Sequence, residues 1–222
     1  MSENEPQVEN QNENTAPAPK LDANEAVAAA AERAKNTAHR NIPQWEDLPV
    51  EGDTANLRLG PNIHDGLLAL LPLVGVWRGE GEADSPEHGQ HAFGQQLTFS
   101  HNGQNYLSYE SLIWRLDDKG EKVGDVEREV GFWRISLKDE IEVTATSSRG
   151  LVEILYGEPL NERAWQLESA STMVTATGPA GFGPGKRLYG LMPNGMLGWV
   201  DERHVNGELK PYMSAQLQRV VG

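Results

Sequence analysis

The chain is constrained most by a regular succession of short strand-like segments that runs from residue 77 to residue 220. Turn sequences separate the segments, and Asn102-Gly103 and Asn194-Gly195 are typical of tight β-hairpins because both turn positions tolerate positive φ. No helical pattern interrupts the series. We predict ten antiparallel strands and one weak further segment, 171–177; the strands are 77–83, 91–101, 105–116, 125–135, 140–147, 150–157, 163–169, 187–193, 196–203 and 211–220.

Ten meandering antiparallel strands predict an all-β fold, a ten-stranded antiparallel up-and-down β-barrel. A barrel of that strand number has room inside for a small ligand. A two-sheet sandwich is the alternative architecture. The apolar cluster at 65–74, which Pro72 limits to a short helix, is predicted to plug one end of the barrel.

The first strand carries a G-x-W-x-G-x-G pattern formed by Gly75, Trp77, Gly79 and Gly81. Residues two apart lie on one face of a strand, so these four share a face that carries a single large ring. The pattern suits a strand that packs closely against another backbone or lines a cavity that must stay open. We expect the tryptophans of the predicted strands to line the core and an apolar pocket; they are Trp77, Trp114, Trp133, Trp165 and Trp199.

The first 40 of the 222 residues hold almost no large apolar side chains, so they cannot bury a core. We predict that residues 1–40 form a disordered acidic, alanine-rich tail, with a marginal helix from Asp22 to about His39. Residues 41–61 are predicted to be an irregular linker, and residues 62–222 the barrel domain.

The net charge and the amino-acid composition limit the classes of partner that we expect. The formal net charge is −14, and a strongly acidic surface repels phosphate backbones, so nucleic acid is not expected as a partner. There is no cysteine, which excludes disulfides, thiolate metal sites and a cysteine nucleophile. Neither a signal peptide nor a run of 18 apolar residues is evident, so we expect a cytoplasmic protein without a membrane partner.

Several motifs have an order and spacing that are specific when taken together. They are Gly75-x-Trp77-x-Gly79-x-Gly81, Phe99-x-His101-x-Gly103, Leu107-x-Tyr109 with Trp114, Glu129-x-Gly131-Phe132-Trp133-Arg134, Arg187-x-Tyr189-x-Leu191, and Leu209-x-x-Tyr212-x-x-Ala215-x-Leu217-x-Arg219. Over about residues 62–222 the chain resembles the nitrobindins, ten-stranded barrels related in shape to fatty-acid-binding proteins and lipocalins. The resemblance implies a haem b carrier that holds ferric iron through one axial histidine, reacts with nitric oxide and isomerises peroxynitrite to nitrate.

The sequence departs from the family pattern at the haem site. The axial histidine of the family begins an H-x-x-A-x-L-x-R pattern, and Tyr212 stands at that position. The Tyr-Pro-Thr turn that the family carries after Gly81 is replaced by Ala83-Asp84-Ser85-Pro86-Glu87-His88. The resemblance therefore implies the fold, whereas haem binding is doubtful and the sequence leans against an isomerase, which would need the missing histidine.

Tyr212 is still a candidate metal ligand, because a tyrosine can bind ferric haem iron. Its phenol has an ordinary pKa of about 10, so the iron's own charge would have to remove the proton. Strand periodicity places Tyr212 on the outward face with Ser214 and Gln216, unless a bulge follows Pro211.

Other patterns are given structural interpretations. We expect the H-x-x-H of His88 and His91 to be chance spacing rather than a zinc site, and His101 to be structural. The acidic residues Asp125, Glu127 and Glu129 share a strand face that we expect to be solvated or salt-bridged. The glycine-rich segment 178–187 lacks the residues of a phosphate-binding loop and is expected to be a flexible loop or lid beside the mouth. No catalytic residue is predicted.

The main functional hypothesis is a nitrobindin-like barrel that binds a hydrophobic or planar small molecule. Three alternatives stay open: a ferric haem b protein acting on nitric oxide or peroxynitrite, a carrier of a fatty acid or similar lipophile, and an interaction module that uses the tail. Pairing of two barrels in a homodimer is also left open.

Overall fold

The computed structural model describes residues 22–35 and 48–222. Helix α1 (Ala23–Lys35) buries none of its residues and begins at Asp22, whose carboxylate accepts hydrogen bonds from the Asn24 and Glu25 amides at 2.7 and 2.9 Å. It belongs to a different unit from the barrel, which begins at Pro49. The predicted helix is therefore confirmed over part of its length. The predicted disorder of residues 1–21 lies outside the described residues, and the three domain boundaries stay predictions.

Ten antiparallel strands close into a single barrel in which the first strand pairs with both the second and the tenth. The predicted barrel is confirmed and the sandwich alternative is wrong. Residues 171–174 of the weak segment 171–177 prove to be the end of the seventh strand, beyond a bulge at which Ile154 and Leu155 pair with Ser171 and Ser169, and residues 175–177 lie outside the strand. The strands are β1 (Gly75–Ser85), β2 (Gly89–Ser100), β3 (Leu107–Leu116), β4 (Lys122–Ile135), β5 (Ile141–Ser147), β6 (Leu151–Asn161), β7 (Ala164–Val174), β8 (Gly185–Leu191), β9 (Leu197–Val205) and β10 (Glu208–Val221).

A 3₁₀ helix, Asp65–Leu73, closes one end of the barrel as predicted and is called the plug here. Its leucines at 67, 70 and 73 are fully buried. Two tryptophans of the barrel wall hold its carbonyls: the indole N–H of Trp77 donates to Leu73 and that of Trp165 to Ala69, both at 2.8 Å. The plug is therefore fixed by apolar burial and by hydrogen bonds to the wall.

The half of the barrel nearest the plug is a packed aromatic core. The Trp133 ring meets Phe99 and Tyr189 edge to face, with centroids 5.2 and 5.3 Å apart. All three rings are at most 2% exposed. Because such packing leaves no ligand-sized space, any ligand site must lie toward the opposite end, which is called the mouth. The helices in the described part fall short of the length and apolarity that crossing a bilayer requires.

Candidate ligand site at the barrel mouth

The glycine motif serves close strand packing. Its four residues share the inward face of β1, as predicted, and the Trp77 ring lies fully buried under the guanidinium of Arg219, 4.1 Å from the ring centroid. A Cβ atom at Gly79 or Gly81 would overlap the backbone of the paired strand β10. Of the two roles open to these glycines, close backbone approach is the one the structure supports.

The mouth half of the interior contains a buried ionic network. Arg187 of β8 makes a bidentate ion pair with Glu129 of β4, at 2.7 and 3.0 Å, and reaches Glu153 of β6 at 3.1 Å. Arg203 of β9 pairs with Glu153 at 2.6 Å and with Asp201 at 2.6 Å. The expected apolar lining is therefore wrong for this half of the barrel. The expectation that Glu129 is salt-bridged is confirmed, but its side chain points inward rather than to solvent.

The network contains three carboxyl groups and two guanidinium groups, and the carboxyl groups differ in pKa. Burial tends to raise the pKa of Glu129 and Glu153, but Arg187 and Arg203 outweigh it and lower both below their ordinary value. At Asp201 burial dominates over the two arginines, and the pKa is raised. Glu129 and Glu153 therefore carry the charge that balances the guanidinium groups, and Asp201 holds its proton more readily.

Little space is left beside this network. Trp199 donates to the Gln95 side chain at 2.7 Å, and Gln95 donates to Ser111 at 2.9 Å, so polar side chains fill the middle of the barrel. The enclosed cavity that remains has a volume of about 40 Å³. That volume suits a few water molecules rather than an organic ligand, since ligand pockets usually measure about 300–1,000 Å³.

A β-bulge turns Tyr212 into the mouth. Pro211 pairs with Glu202 and Met213 with Asp201, so Tyr212 is an extra residue in β10 with no partner in β9. Such a bulge re-aims a side chain. The outward orientation expected from strand periodicity is wrong, and the bulge after Pro211 is the alternative that holds. The ring lies edge to face with Phe182 of the β7–β8 loop, with centroids 5.6 Å apart.

Arg149, in the turn between β5 and β6, spans the mouth and holds the Tyr212 phenol. Its guanidinium donates to the Tyr212 hydroxyl at 3.1 Å and to Glu87 at 2.6 Å, and it lies 3.6 Å from Glu127. Arg149, Tyr212, Glu87 and Glu127 are called the mouth bridge here. Burial raises the pKa of Tyr212 more than Arg149 lowers it, so the phenol keeps its proton at neutral pH.

Two cavities meet at the mouth bridge. The first, called the lid cavity, has a volume of about 220 Å³ and lies beneath the β7–β8 loop. The second, called the turn cleft, is an open space of about 960 Å³ beside the β1–β2 turn. Arg149, Glu87 and Tyr212 line both, so the bridge separates them. The expected position of loop 178–187 beside the mouth agrees with this arrangement.

The donor set at the mouth does not fit haem iron. The only candidate ligand at the family position is the Tyr212 phenol, which already accepts a hydrogen bond from Arg149 and has a raised pKa. His88 and His91 line the turn cleft; His88 is exposed and His91 is half-buried, and their rings meet edge to face with centroids 5.8 Å apart. At position 212 the mouth therefore offers a hydrogen-bonded phenol in place of an imidazole.

Three of the remaining histidines have structural positions, among them His204 of β9, whose amide donates to the Pro184 carbonyl at 2.9 Å. The His64 ring accepts a hydrogen bond from the Gly66 amide and caps the plug. His101 is fully buried next to the plug, its backbone pairs with Thr54, and burial lowers its pKa. Across the described residues no cluster of three or more side chains suits a metal ion. His39 lies outside them.

Comparisons with known proteins agree with this architecture. Residues 66–219 match the family model described as the THAP4-like, heme-binding beta-barrel domain. The chain is 69% identical to the ferric nitrobindin-like protein of Corynebacterium efficiens, over 92% of this chain and 88% of that protein. It is 49% identical to peroxynitrite isomerase 2 of Rhodococcus jostii, over 89% of this chain and 96% of that protein.

A solved structure shows the same fold. The crystal structure of Rv2717c from M. tuberculosis superposes with a TM-score of 0.59 at 23% identity, over 71% of this chain and 99% of that chain. The overlap is consistent with a shared barrel, to which this chain adds residues outside the superposed part.

Proposed function

We propose that this chain, which belongs to the nitrobindin family of haem-binding β-barrels, binds a small planar or hydrophobic molecule at its mouth without holding haem iron through position 212. The interior beneath the mouth contains the ionic network and a cavity of only about 40 Å³. Two cavities at the mouth, of about 220 and 960 Å³, have room for a ligand.

The observation that carries the proposal is the contact between Arg149 and Tyr212. A phenol that accepts a hydrogen bond from a guanidinium, and whose pKa is raised by burial, is a poor source of the phenolate that ferric iron requires. Haem ligation would have to break the mouth bridge and deprotonate the ring. A ligand that enters either cavity beside the bridge needs no phenolate and can leave the contact between Arg149 and Tyr212 in place.

A hemin titration of the full chain tests the proposal. We expect no sharp Soret band in the wild type and the same spectrum in Tyr212→Phe, because position 212 does not ligate the iron. A double variant, His88→Gln with His91→Gln, controls for the imidazoles at the rim of the turn cleft. A sharp band in the wild type that Tyr212→Phe or the double variant removes would show that the chain holds haem.

A ferric haem protein acting on peroxynitrite is the second candidate. The name of the Rhodococcus jostii relative, at 49% identity, favours it, and the turn cleft is large enough for a planar macrocycle. The hemin titration separates the two candidates. A lipophile carrier is limited to short ligands held at the mouth, and native mass spectrometry of the purified chain would detect one. Barrel pairing, a partner for the tail and a cytoplasmic location stay predictions.

A further inference from the structure

The lid cavity has a small volume, apolar walls and positively charged side chains that can contact a ligand. Its volume of about 220 Å³ is below the usual range for drug-sized ligands, so its occupant must be small. Pro179, Phe182 and Pro211 supply apolar surface, and Arg149 and Lys210 reach the same space.

The cations of the lid cavity differ in how firmly they are held. Arg203 is bound to Glu153 and Asp201, and all three side chains are at most 4% exposed, so its charge is already paired with buried carboxylates. Within the described residues, the Lys210 ammonium forms no ion pair or hydrogen bond. Lys210 is therefore a cation that an incoming anion can reach without displacing another group.

Arg149 can also exchange its partner. Its ion pair with Glu87 lies at the surface, where the side chains are 28% and 39% exposed. Surface ion pairs of this kind contribute little to stability, so an incoming carboxylate can take the place of Glu87 at small cost. The planar guanidinium fork suits the two oxygens of a carboxylate.

Two aromatic rings give the cavity a preference for flat ligands. Phe182 and Tyr212 meet at an interplanar angle of 84° and form an apolar corner. Aromatic ligands gain from edge-to-face and offset contacts with such rings. The Phe182 ring is itself fixed by the Arg203 guanidinium, which lies 4.3 Å from its centroid.

We propose that the lid cavity binds a small planar carboxylate, with Arg149 and Lys210 holding the carboxylate group and Phe182 and Tyr212 contacting the flat body. This inference rests on the proposed function and names the ligand class of the same mouth. Asp84, the other carboxylate on the cavity wall, is exposed on the outward side of β1 and does not compete for Arg149.

Isothermal titration of the full chain with three matched probes tests the inference. The probes are naphthoate, neutral naphthalenemethanol and cationic naphthylmethylammonium, which share a flat body and differ in charge. We expect naphthoate to bind about tenfold more tightly than the alcohol, since each charged hydrogen bond adds affinity, and the ammonium to bind most weakly.

Variants locate the anion contact. Lys210→Gln should weaken naphthoate binding about five- to tenfold and leave the alcohol unchanged, because it removes one charged contact. Arg149→Gln should weaken naphthoate binding by about the same factor and the alcohol by a smaller one, because Arg149 also holds the Tyr212 ring. Lys186→Gln removes the same charge from the outside of β8, where Lys186 pairs with Glu168, and is the matched control. Lys210 is exposed, so its variant remains informative if Arg149→Gln does not fold.

The outcomes separate this inference from the proposed function. Equal binding of all three probes, lost in Tyr212→Ala, would overturn the carboxylate preference and leave mouth binding in place. An equal loss of naphthoate affinity in Lys186→Gln would also overturn it, because the effect would then be the overall charge of the chain. If none of the three probes bound, both proposals would be overturned.

Discussion

At the scale of single residues, Tyr212 shows how one inserted position changes what a strand can present. Without the bulge, position 212 would face outward with Ser214, and its chemistry would be irrelevant to the mouth. With the bulge, the ring reaches Arg149 and Phe182. The identity of residue 212 therefore determines whether the mouth offers an iron ligand or a hydrogen-bonded phenol.

Tyr212→His should create haem binding, because the bulge already aims this position into the mouth and a neutral imidazole is a good iron ligand. We expect a sharp Soret band on titration with hemin. Ser214→His is the matched control, since it places the same side chain on the outward face of the same strand. If a folded Tyr212→His variant gained no band, the mouth itself would have been remodelled, with the segment Ala83–His91 as the first place to examine.

At the scale of strands, the interior network joins parts of the barrel that are far apart in sequence. Glu153 of β6 lies between Leu151 and Leu155 on the inward face, and β9 presents Trp199, Asp201 and Arg203 inward. Charged residues in phase with apolar ones are costly unless they are paired. Here Glu129 and Glu153 pair with arginines of other strands, and Asp201 pairs with Arg203 of its own strand and with Arg187 of the adjacent one, so the network links four strands.

Glu153→Gln should reduce the free energy of unfolding by about 3–5 kcal/mol, because it leaves two buried guanidinium groups short of a counter-charge. Asp201→Asn should cost less than about 1 kcal/mol, since Asp201 is the third carboxyl group beside two arginines and its amide replacement keeps the shape. Urea unfolding of the two variants measures both values. Equal losses would mean that the network depends on shape alone and not on charge balance.

The strands themselves were predictable from the sequence, because hairpin turns and alternating patterns are local signals. All ten predicted strands are present, and the plug was predicted from its leucines and Pro72. The mouth was predicted less well. The strand positions of Glu153 and Asp201 indicate that both point inward, because they alternate with large apolar side chains on the same face. This pattern does not show which arginine each carboxyl group would pair with.

The mouth bridge could not be predicted for a different reason. Arg149 and Glu87 are 62 residues apart, and Arg149 and Tyr212 are 63 apart, so no local pattern links them. The bulge that aims Tyr212 depends on the pairing of β9 with β10, which the residues after Pro211 do not specify alone. The sequence therefore singled out position 212 and left its contacts open.

At the scale of the whole molecule, the parts of the barrel that close and stabilise it differ from the residues that would contact a ligand. Closure depends on the pairing of β1 with β10, which runs along both strands from Val76 and Val221 to Ala83 and Met213, and on the plug at the end opposite the mouth bridge. The bridge connects turns and strand ends, so its residues can change while the closed sheet stays intact. Under the proposed function, this separation accounts for a chain that shares the family barrel and carries a hydrogen-bonded phenol at position 212.

The stability of the whole barrel should fall in acid. The lowered pKa values of Glu129 and Glu153 give stability that is complete above their ordinary pKa of 4.5 and is lost as pH falls through the lowered values. The raised pKa of Asp201 acts in the opposite direction, because the folded state then binds its proton more tightly than the unfolded chain, whose pKa is 3.8. Glu127, whose pKa burial also raises, acts in the same direction as Asp201, whereas the lowered pKa of His101 adds to the acid loss because the folded state binds that proton less tightly than the unfolded chain. We expect the direct ion pairs of Glu129 and Glu153 with the two arginines to decide the sign, which gives a net loss below about pH 4.5.

Urea unfolding from pH 7 to pH 3 measures this dependence, and high salt should be used because it screens the general repulsion of a chain with a net charge of −14. Asp201→Asn should make the acid loss steeper, since it removes the one group of the network that gains from protonation. Glu129→Gln should make it shallower, since it removes a group that loses. The charge assignment of the network would be contradicted if the free energy of unfolding stayed constant or rose toward pH 3. It would also be contradicted if both variants changed the steepness of the acid loss in the same direction.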